Sequence, residues 1–173
     1  DDLLAECAAS GVAHVVITGG EPMIHDAVVP LCEGLREMGR VVTIETAGTV
    51  DRDLPIDLMS ISPKLANSTP DHPEWAPRHE ARRHRPDIVR ALIARTEHQL
   101  KFVVTGEADL PEIEAFLTEL GPVRPDRVLL MPEGRDAARV WATARALVPA
   151  AVARGWRLAP RLQLDLFGDE RGT

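Results

Sequence analysis

Short apolar runs alternate along this chain with stretches whose apolar residues recur at helical spacing, and that alternation restricts the fold more than any other feature. Residues 3–8 read as a helix ended by Ser10 and Gly11. Residues 12–18 form a nearly continuous apolar run, the pattern of a strand covered on both faces. Asp26 is placed to cap a helix carrying Val28, Leu31, Cys32, Leu35 and Met38 on one face, with Pro30 in its first turn and Gly39 as its stop. Residues 41–45 and 57–61 read as strands, residues 87–96 as a helix and residues 99–105 as a fourth strand. Asp109 and Glu112 have capping-box spacing ahead of Ile113, Phe116, Leu117 and Leu120, and Gly121 ends that helix. Residues 127–131 are a fifth strand, and Asp136 opens a long helix expected to bend at Pro149. The polar/apolar alternation of residues 161–167 suits an edge strand. The order predicts an α/β fold with a largely parallel sheet.

Length and composition narrow the function classes. At 173 residues the chain is expected to form a single domain, with 45% apolar residues for its core. A net charge of −7 argues against a nucleic-acid backbone as the main partner. No apolar stretch approaches a membrane span and none resembles a signal peptide, so no membrane partner is expected and the cytoplasm is the expected compartment. The two cysteines, Cys7 and Cys32, lie in helical patterns, are not arranged as CxxC, and read as buried apolar side chains. Residues 65–86 are polar and contain Pro70, Pro73, Pro77 and Pro86, which predicts a long loop. Its basic run, residues 78–85, reads as solvated, with a lid or partner contact as the alternative.

The unusual polar residues gather just after strands: Thr18–Glu21, Glu45–Gly48, Ser62–Lys64 and Met131–Gly134. In parallel α/β folds the carboxyl ends of strands share one face where ligands bind, so these segments are expected to converge on a pocket. Gly19 and Gly20 would let a ligand lie against bare backbone, and Glu21 would add a carboxylate suited to an ammonium group. Each has an ordinary alternative. Glu45 fits a partly exposed strand end or a helix-cap partner, Lys64 a surface residue, and Thr18 a hydroxyl bonded to backbone. His14 reads as a satisfied core histidine, and no histidine has metal-site spacing.

These segments, read together, resemble 7-carboxy-7-deazaguanine synthases of the radical S-adenosylmethionine (SAM) superfamily. The resemblance is carried by Thr18-Gly19-Gly20-Glu21-Pro22, residues 44–49, Ser62-Pro63-Lys64, residues 99–103 and Met131-Pro132-Glu133-Gly134, and extends to a tail that includes Arg171 and Gly172. It implies a partial (β/α) barrel that contracts the ring of 6-carboxy-5,6,7,8-tetrahydropterin to 7-carboxy-7-deazaguanine with loss of ammonia, in queuosine-type 7-deazapurine biosynthesis. The implied cofactors are SAM, a 4Fe–4S cluster and Mg²⁺; a 5′-deoxyadenosyl radical takes a hydrogen from C6 of the pterin. The implied partners are the pterin, a reductant such as flavodoxin or ferredoxin, and a second copy in a homodimer. By this resemblance Gly19, Gly20 and Glu21 hold the methionine moiety of SAM, Ser62, Pro63 and Lys64 also hold SAM, and Met131, Pro132, Glu133 and Gly134 close around its adenosine end. Thr18 contacts the pterin, and Glu45 is the candidate catalytic residue, deep in the pocket. The family's three cluster cysteines follow the first barrel strand, and here that segment and the magnesium ligand are missing. The chain starts at Asp1 rather than Met, so an upstream segment is expected to be missing, and the chain alone is expected to bind no cluster and to be inactive. Two alternatives stand beside this: a catalytically dead SAM-binding or scaffold module, and another radical SAM enzyme such as a glycyl-radical activase.

Overall fold

The computed structural model describes residues 2–170; Arg171 and Gly172 of the expected tail lie outside them. In chain order the elements are α1 (Asp2–Ser10), β1 (His14–Ile17), α2 (Val28–Glu37), β2 (Val41–Thr46), β3 (Leu58–Ile61), α3 (Trp75–Arg83), α4 (Pro86–Arg95), β4 (His98–Val104), α5 (Leu110–Leu120), β5 (Val128–Pro132), α6 (Ala137–Arg154), β6 (Arg157–Leu158) and α7 (Leu162–Phe167). They form two compact units. One runs to Ser62 and resumes over Arg85–Gln99; the other comprises Pro63–His84 and the chain from Leu100 onward. The α/β class expected from the alternation is the one observed, and no helix among the described residues is long and apolar enough to cross a membrane.

In the first unit β1, β2 and β3 pair in parallel, with Ile17 opposite Ile44, Glu45 opposite Ser60 and Thr46 opposite Ile61. Side chains alternate across β2: Val42, Ile44 and Thr46 are buried, while Val41, Thr43 and Glu45 point to the other, less buried face. Helix α2 packs on β2 and α4 on β3, burying Cys32, Leu35, Val89 and Leu92. Two expectations for this unit fail. Strand β1 is not covered on both faces: it lies at the sheet edge, Val16 is 55% exposed, and His14 is an exposed rather than a core histidine. Nor does Asp26 cap α2. The N-cap is Ala27, with no side-chain bond, because the Asp26 carboxylate is taken up by Arg52 at 2.9 Å. Cys32 is fully buried as expected, whereas Cys7 is only partly buried.

The second unit pairs β4, from Leu100, with β5, and β5 with β6, again in parallel. Leu110, Ile113, Phe116 and Leu120 form the buried face of α5, and Phe116 meets Phe102 edge-on at 5.9 Å between ring centres. Asp136 caps α6 as expected, accepting from the Arg139 amide at 2.8 Å, and the helix runs through Pro149 to Gly155. Three readings are corrected here. The stretch expected as a loop contains α3, a helix with no buried residue and therefore no apolar stripe to announce it. Asp109 does not cap α5, since its carboxylate accepts from the Thr105 amide and hydroxyl and from Asn67. The expected edge strand over residues 161–167 is helix α7, which buries Leu164 alone, leaves Leu162, Leu166 and Phe167 exposed, and is tied to α6 by the Trp141 indole N–H donating to Asp165. Only Arg157–Leu158 form the strand there.

The turn after β2 depends on Gly48. Its φ is +72°, and a Cβ there would stand 2.7 Å from methyl carbons of both Ile61 and Val89. Left-handed backbone and overpacking each cost ~1–3 kcal/mol for a side chain, so Gly48→Ala is expected to lower unfolding free energy by about 2–4 kcal/mol. Urea denaturation checks this, and a loss under 1 kcal/mol would contradict it.

Candidate functional site

The parallel register sets the ends of β1, β2 and β3 side by side. Thr18 therefore emerges beside Glu45, on the face of the sheet opposite to Ile44, and its hydroxyl donates to the Glu45 carboxylate at 3.3 Å. Glu45 pairs in register with Ser60, which is 1% exposed, and the Ser60 hydroxyl accepts from the Gln99 side-chain amide at 3.0 Å. Thr18, Glu45, Ser60 and Gln99 thus form a polar row across a face that an apolar parallel sheet would normally fill with aliphatic side chains.

The loop after β1 is held from its other side. Glu21 caps the short turn Pro22–Ile24, accepting from the Met23 amide at 3.2 Å. The same carboxylate accepts from the Thr46 hydroxyl at 2.8 and 2.9 Å and from the Ala47 amide at 2.9 Å. Thr46, 4% exposed, in turn accepts from the Gly48 amide at 3.0 Å. One side chain thereby ties the β1 loop to the β2 loop through charge-assisted bonds. Between these anchors Gly19 and Gly20 are exposed, with no heavy atom within 4 Å of where a Cβ would sit. Both line a cavity of about 590 Å³, together with Leu3, Leu4, Thr18, Glu21, His25 and Leu31. That is within the size range of small-ligand sites.

Ser62 is buried, its amide donating to the Thr46 carbonyl at 2.7 Å, so it closes the same group of strand ends in this unit. The remaining candidates belong to the second unit. Pro63 is buried and Lys64 half-buried, and the Lys64 carbonyl accepts from the Arg83 guanidinium at 3.1 Å. Met131 and Pro132 complete β5 opposite Val103 and Val104. The exposed Glu133 donates its amide to the Val104 carbonyl at 2.8 Å. Gly134, with φ +147°, offers its carbonyl to Arg161 at 2.7 Å.

The two cysteines stand on separate helices. Cys7 lies on α1 and Cys32 on α2, and burial, aided by the neighbouring Glu33 charge, pushes the Cys32 thiol up to about 11. A thiol must ionise to bind metal. Among the described residues no group of three His, Cys, Asp or Glu side chains could hold a metal ion.

No family model matches the chain. A 7-carboxy-7-deazaguanine synthase from Rhodopirellula baltica is 46% identical to it, over all of this chain and 68% of the relative. One from Halobacterium salinarum is 44% identical, over all of this chain and 72% of the relative. The chain belongs to the 7-carboxy-7-deazaguanine synthase family. The crystal structure of the Escherichia coli member, QueE, superposes with a TM-score of 0.61 at 27% identity, over 92% of this chain and 62% of that one. Streptococcus suis SuiB bound to S-adenosylmethionine shares the fold at a TM-score of 0.60 and 15% identity, over 92% of this chain and 40% of that one. The synthases are radical SAM lyases, and the Gly-Gly-Glu turn of this synthase-family chain is the loop that Glu21 anchors.

Sequence reasoning missed Ser60 as part of this site, and gave Thr46 and Gln99, which lie in segments it singled out, no role of their own. The available signal was polarity inside apolar strands: Ser60 interrupts Leu58-Met59-Ser60-Ile61 just where Glu45 lies opposite. Replacing Thr46 by Val keeps the shape but removes the hydroxyl that links Gly48 to Glu21. Leaving a buried amide and part of a carboxylate unsatisfied costs ~1–3 kcal/mol. Thr46→Val is therefore expected to lower the urea midpoint correspondingly, and an unchanged midpoint would show that this link does not hold the two loops.

Proposed function

We propose that this chain serves the ring contraction of 6-carboxy-5,6,7,8-tetrahydropterin to 7-carboxy-7-deazaguanine with loss of ammonia, and that the β1 loop is its SAM cradle. The supporting observation is the Glu21 anchor, which fixes a bare Gly19–Gly20 backbone at the rim of a ligand-sized cavity. A carboxylate offers about four acceptor sites. The Met23 amide, Thr46 hydroxyl and Ala47 amide occupy most of them, which leaves room for one bond from the α-ammonium of SAM. The glycines let the methionine moiety approach without meeting a side chain.

The other roles follow from chemistry. Thr18 and Glu45 present hydrogen-bonding oxygens on one face of the sheet, suited to the hydrogen-bonding edge of a pterin, and Glu45 is the candidate for holding or moving a proton there. Ser62, Pro63 and Lys64 bind SAM, and Met131, Pro132, Glu133 and Gly134 accept its adenosine end. SAM, held by these residues and reduced by a 4Fe–4S cluster, would supply the hydrogen-abstracting radical. Among the described residues no group of three His, Cys, Asp or Glu side chains could hold a metal ion; what they offer is binding and orientation. A reductant such as flavodoxin or ferredoxin and a homodimeric assembly belong to the same reading.

Gly20→Val separates this cradle from the fold, because nothing lies within 4 Å of the added Cβ. Calorimetric titration with SAM is expected to show weak saturable binding to the parent chain and at least ~10-fold weaker binding to the variant, at equal thermal stability; steric exclusion from a fitted pocket readily reaches this size. In a cluster-loaded full-length protein that joins this chain to a cluster-binding segment, the pterin is expected to yield the deazaguanine product by mass spectrometry. Equal SAM affinity in Gly20→Val would overturn the cradle assignment. SAM binding without turnover of the pterin by that enzyme would favour a binding module.

A further inference from the structure

The second unit carries a polar clamp that neither the family name nor the proposed roles account for. Helix α3 buries none of its residues, so its attachment is made by polar side chains. The central one is Arg83, whose side chain is 12% exposed. Its Nη1 donates to the Glu112 carboxylate at 2.6 Å and to the Lys64 carbonyl at 3.1 Å, and its Nε donates to Glu80 at 2.8 Å. Glu112, on α5, also accepts from the Ala66 amide at 3.0 and 3.2 Å. Burial alone would lower the affinity of Arg83 for its proton, but the bonds and charges of Glu112 and Glu80 outweigh it and raise that affinity.

The contacts fall on either side of one residue. Leu65 is 2% exposed. The peptide before it is held through the Lys64 carbonyl, the peptide after it through the Ala66 amide, and both bonds end on the same ion pair. The basic run expected to be solvated is therefore divided: Arg82 is exposed, whereas Arg83 faces inward. A forked guanidinium suits this task, since one planar group bonds a carboxylate and a carbonyl together.

We infer that Arg83, acting with Glu112, is a positioning residue that fixes the Lys64–Ala66 backbone and so sets where Lys64 presents itself to SAM. The inference rests on the reading that Lys64 holds SAM. The clamp makes SAM affinity depend on two residues far along the chain from Lys64, on α3 and α5.

The Lys64 carbonyl belongs to the bond that trypsin cuts after Lys64, so proteolysis reads the clamp directly, and local cleavage tracks local opening. In the intact protein, Arg83→Ala and Glu112→Gln are each expected to speed cleavage between Lys64 and Leu65 by ~10-fold, the scale of losing a charged hydrogen bond. Arg82→Ala should leave it unchanged, and Arg83→Lys should fall between. SAM titration is expected to show a Kd raised ~5–10-fold in the two clamp variants, with Lys64→Ala weakened at least as much. Should Arg83→Ala fail to fold, Glu112→Gln carries the test from the other element. Unchanged cleavage after Lys64 overturns the clamp. Faster cleavage with unaltered SAM affinity, while Lys64→Ala binds weakly, overturns the positioning role. Unaltered SAM affinity in Lys64→Ala overturns the reading of Lys64 and the positioning role with it, and leaves the clamp itself to be decided by the cleavage rate.

Discussion

The Glu21 carboxylate is the interaction on which the first unit's site depends. The sheet register brings the ends of β1 and β2 together, but register alone fixes backbone, not loops. Glu21 adds the second constraint by capping its own short turn and bonding the Thr46 hydroxyl and Ala47 amide of the neighbouring loop. Thr46 sits on the buried side of β2, so this bond reaches into the sheet's covered face. Glycine can then occupy the loop between these anchors without leaving it slack, because both of its ends are tied. A bare backbone is useful for binding only when its conformation is already set.

Polar fastening recurs in the second unit, on a different element. Helix α3 has no apolar face, yet Arg83, which Glu80 bonds from within the same helix, holds it to Glu112 and to the Lys64 carbonyl, and so also restrains the turn after Pro63. Glu112 can do this because it is not spent on capping α5, and Asp109 is likewise engaged with Thr105 and Asn67. Residues that look like local helix signals are here committed to contacts across the unit.

The alternation of apolar runs made the fold class and five of the six strands among the described residues legible, because buried strands in parallel sheets must be continuously apolar and their helices periodically so. The placement of the candidate segments at strand ends was legible for a related reason: the apolar runs stop where their polar residues begin. The errors have particular causes. Residues 12–18 are as apolar as a buried strand, yet Val16 lies exposed on an edge strand, and composition does not tell one position from the other. Residues 161–167 alternate like a strand, but α7 uses only Leu164 of that pattern. Helix α3, with Trp75, Pro77 and four charged residues after it, gives no periodic signal. Contacts such as Glu21 to Thr46 join residues distant in sequence and follow only from the register.

The central claim is that the backbone of Gly19 and Gly20, held by Glu21, is where SAM binds. Amide chemical shifts of the isotopically labelled protein, followed during titration with SAM, test it most directly. The account predicts saturable shifts largest at the Gly19 and Gly20 amides, with the Ala47 amide moving less because Glu21 keeps its bond to it. Saturable shifts elsewhere, with the amides of Gly19 and Gly20 silent, would contradict it.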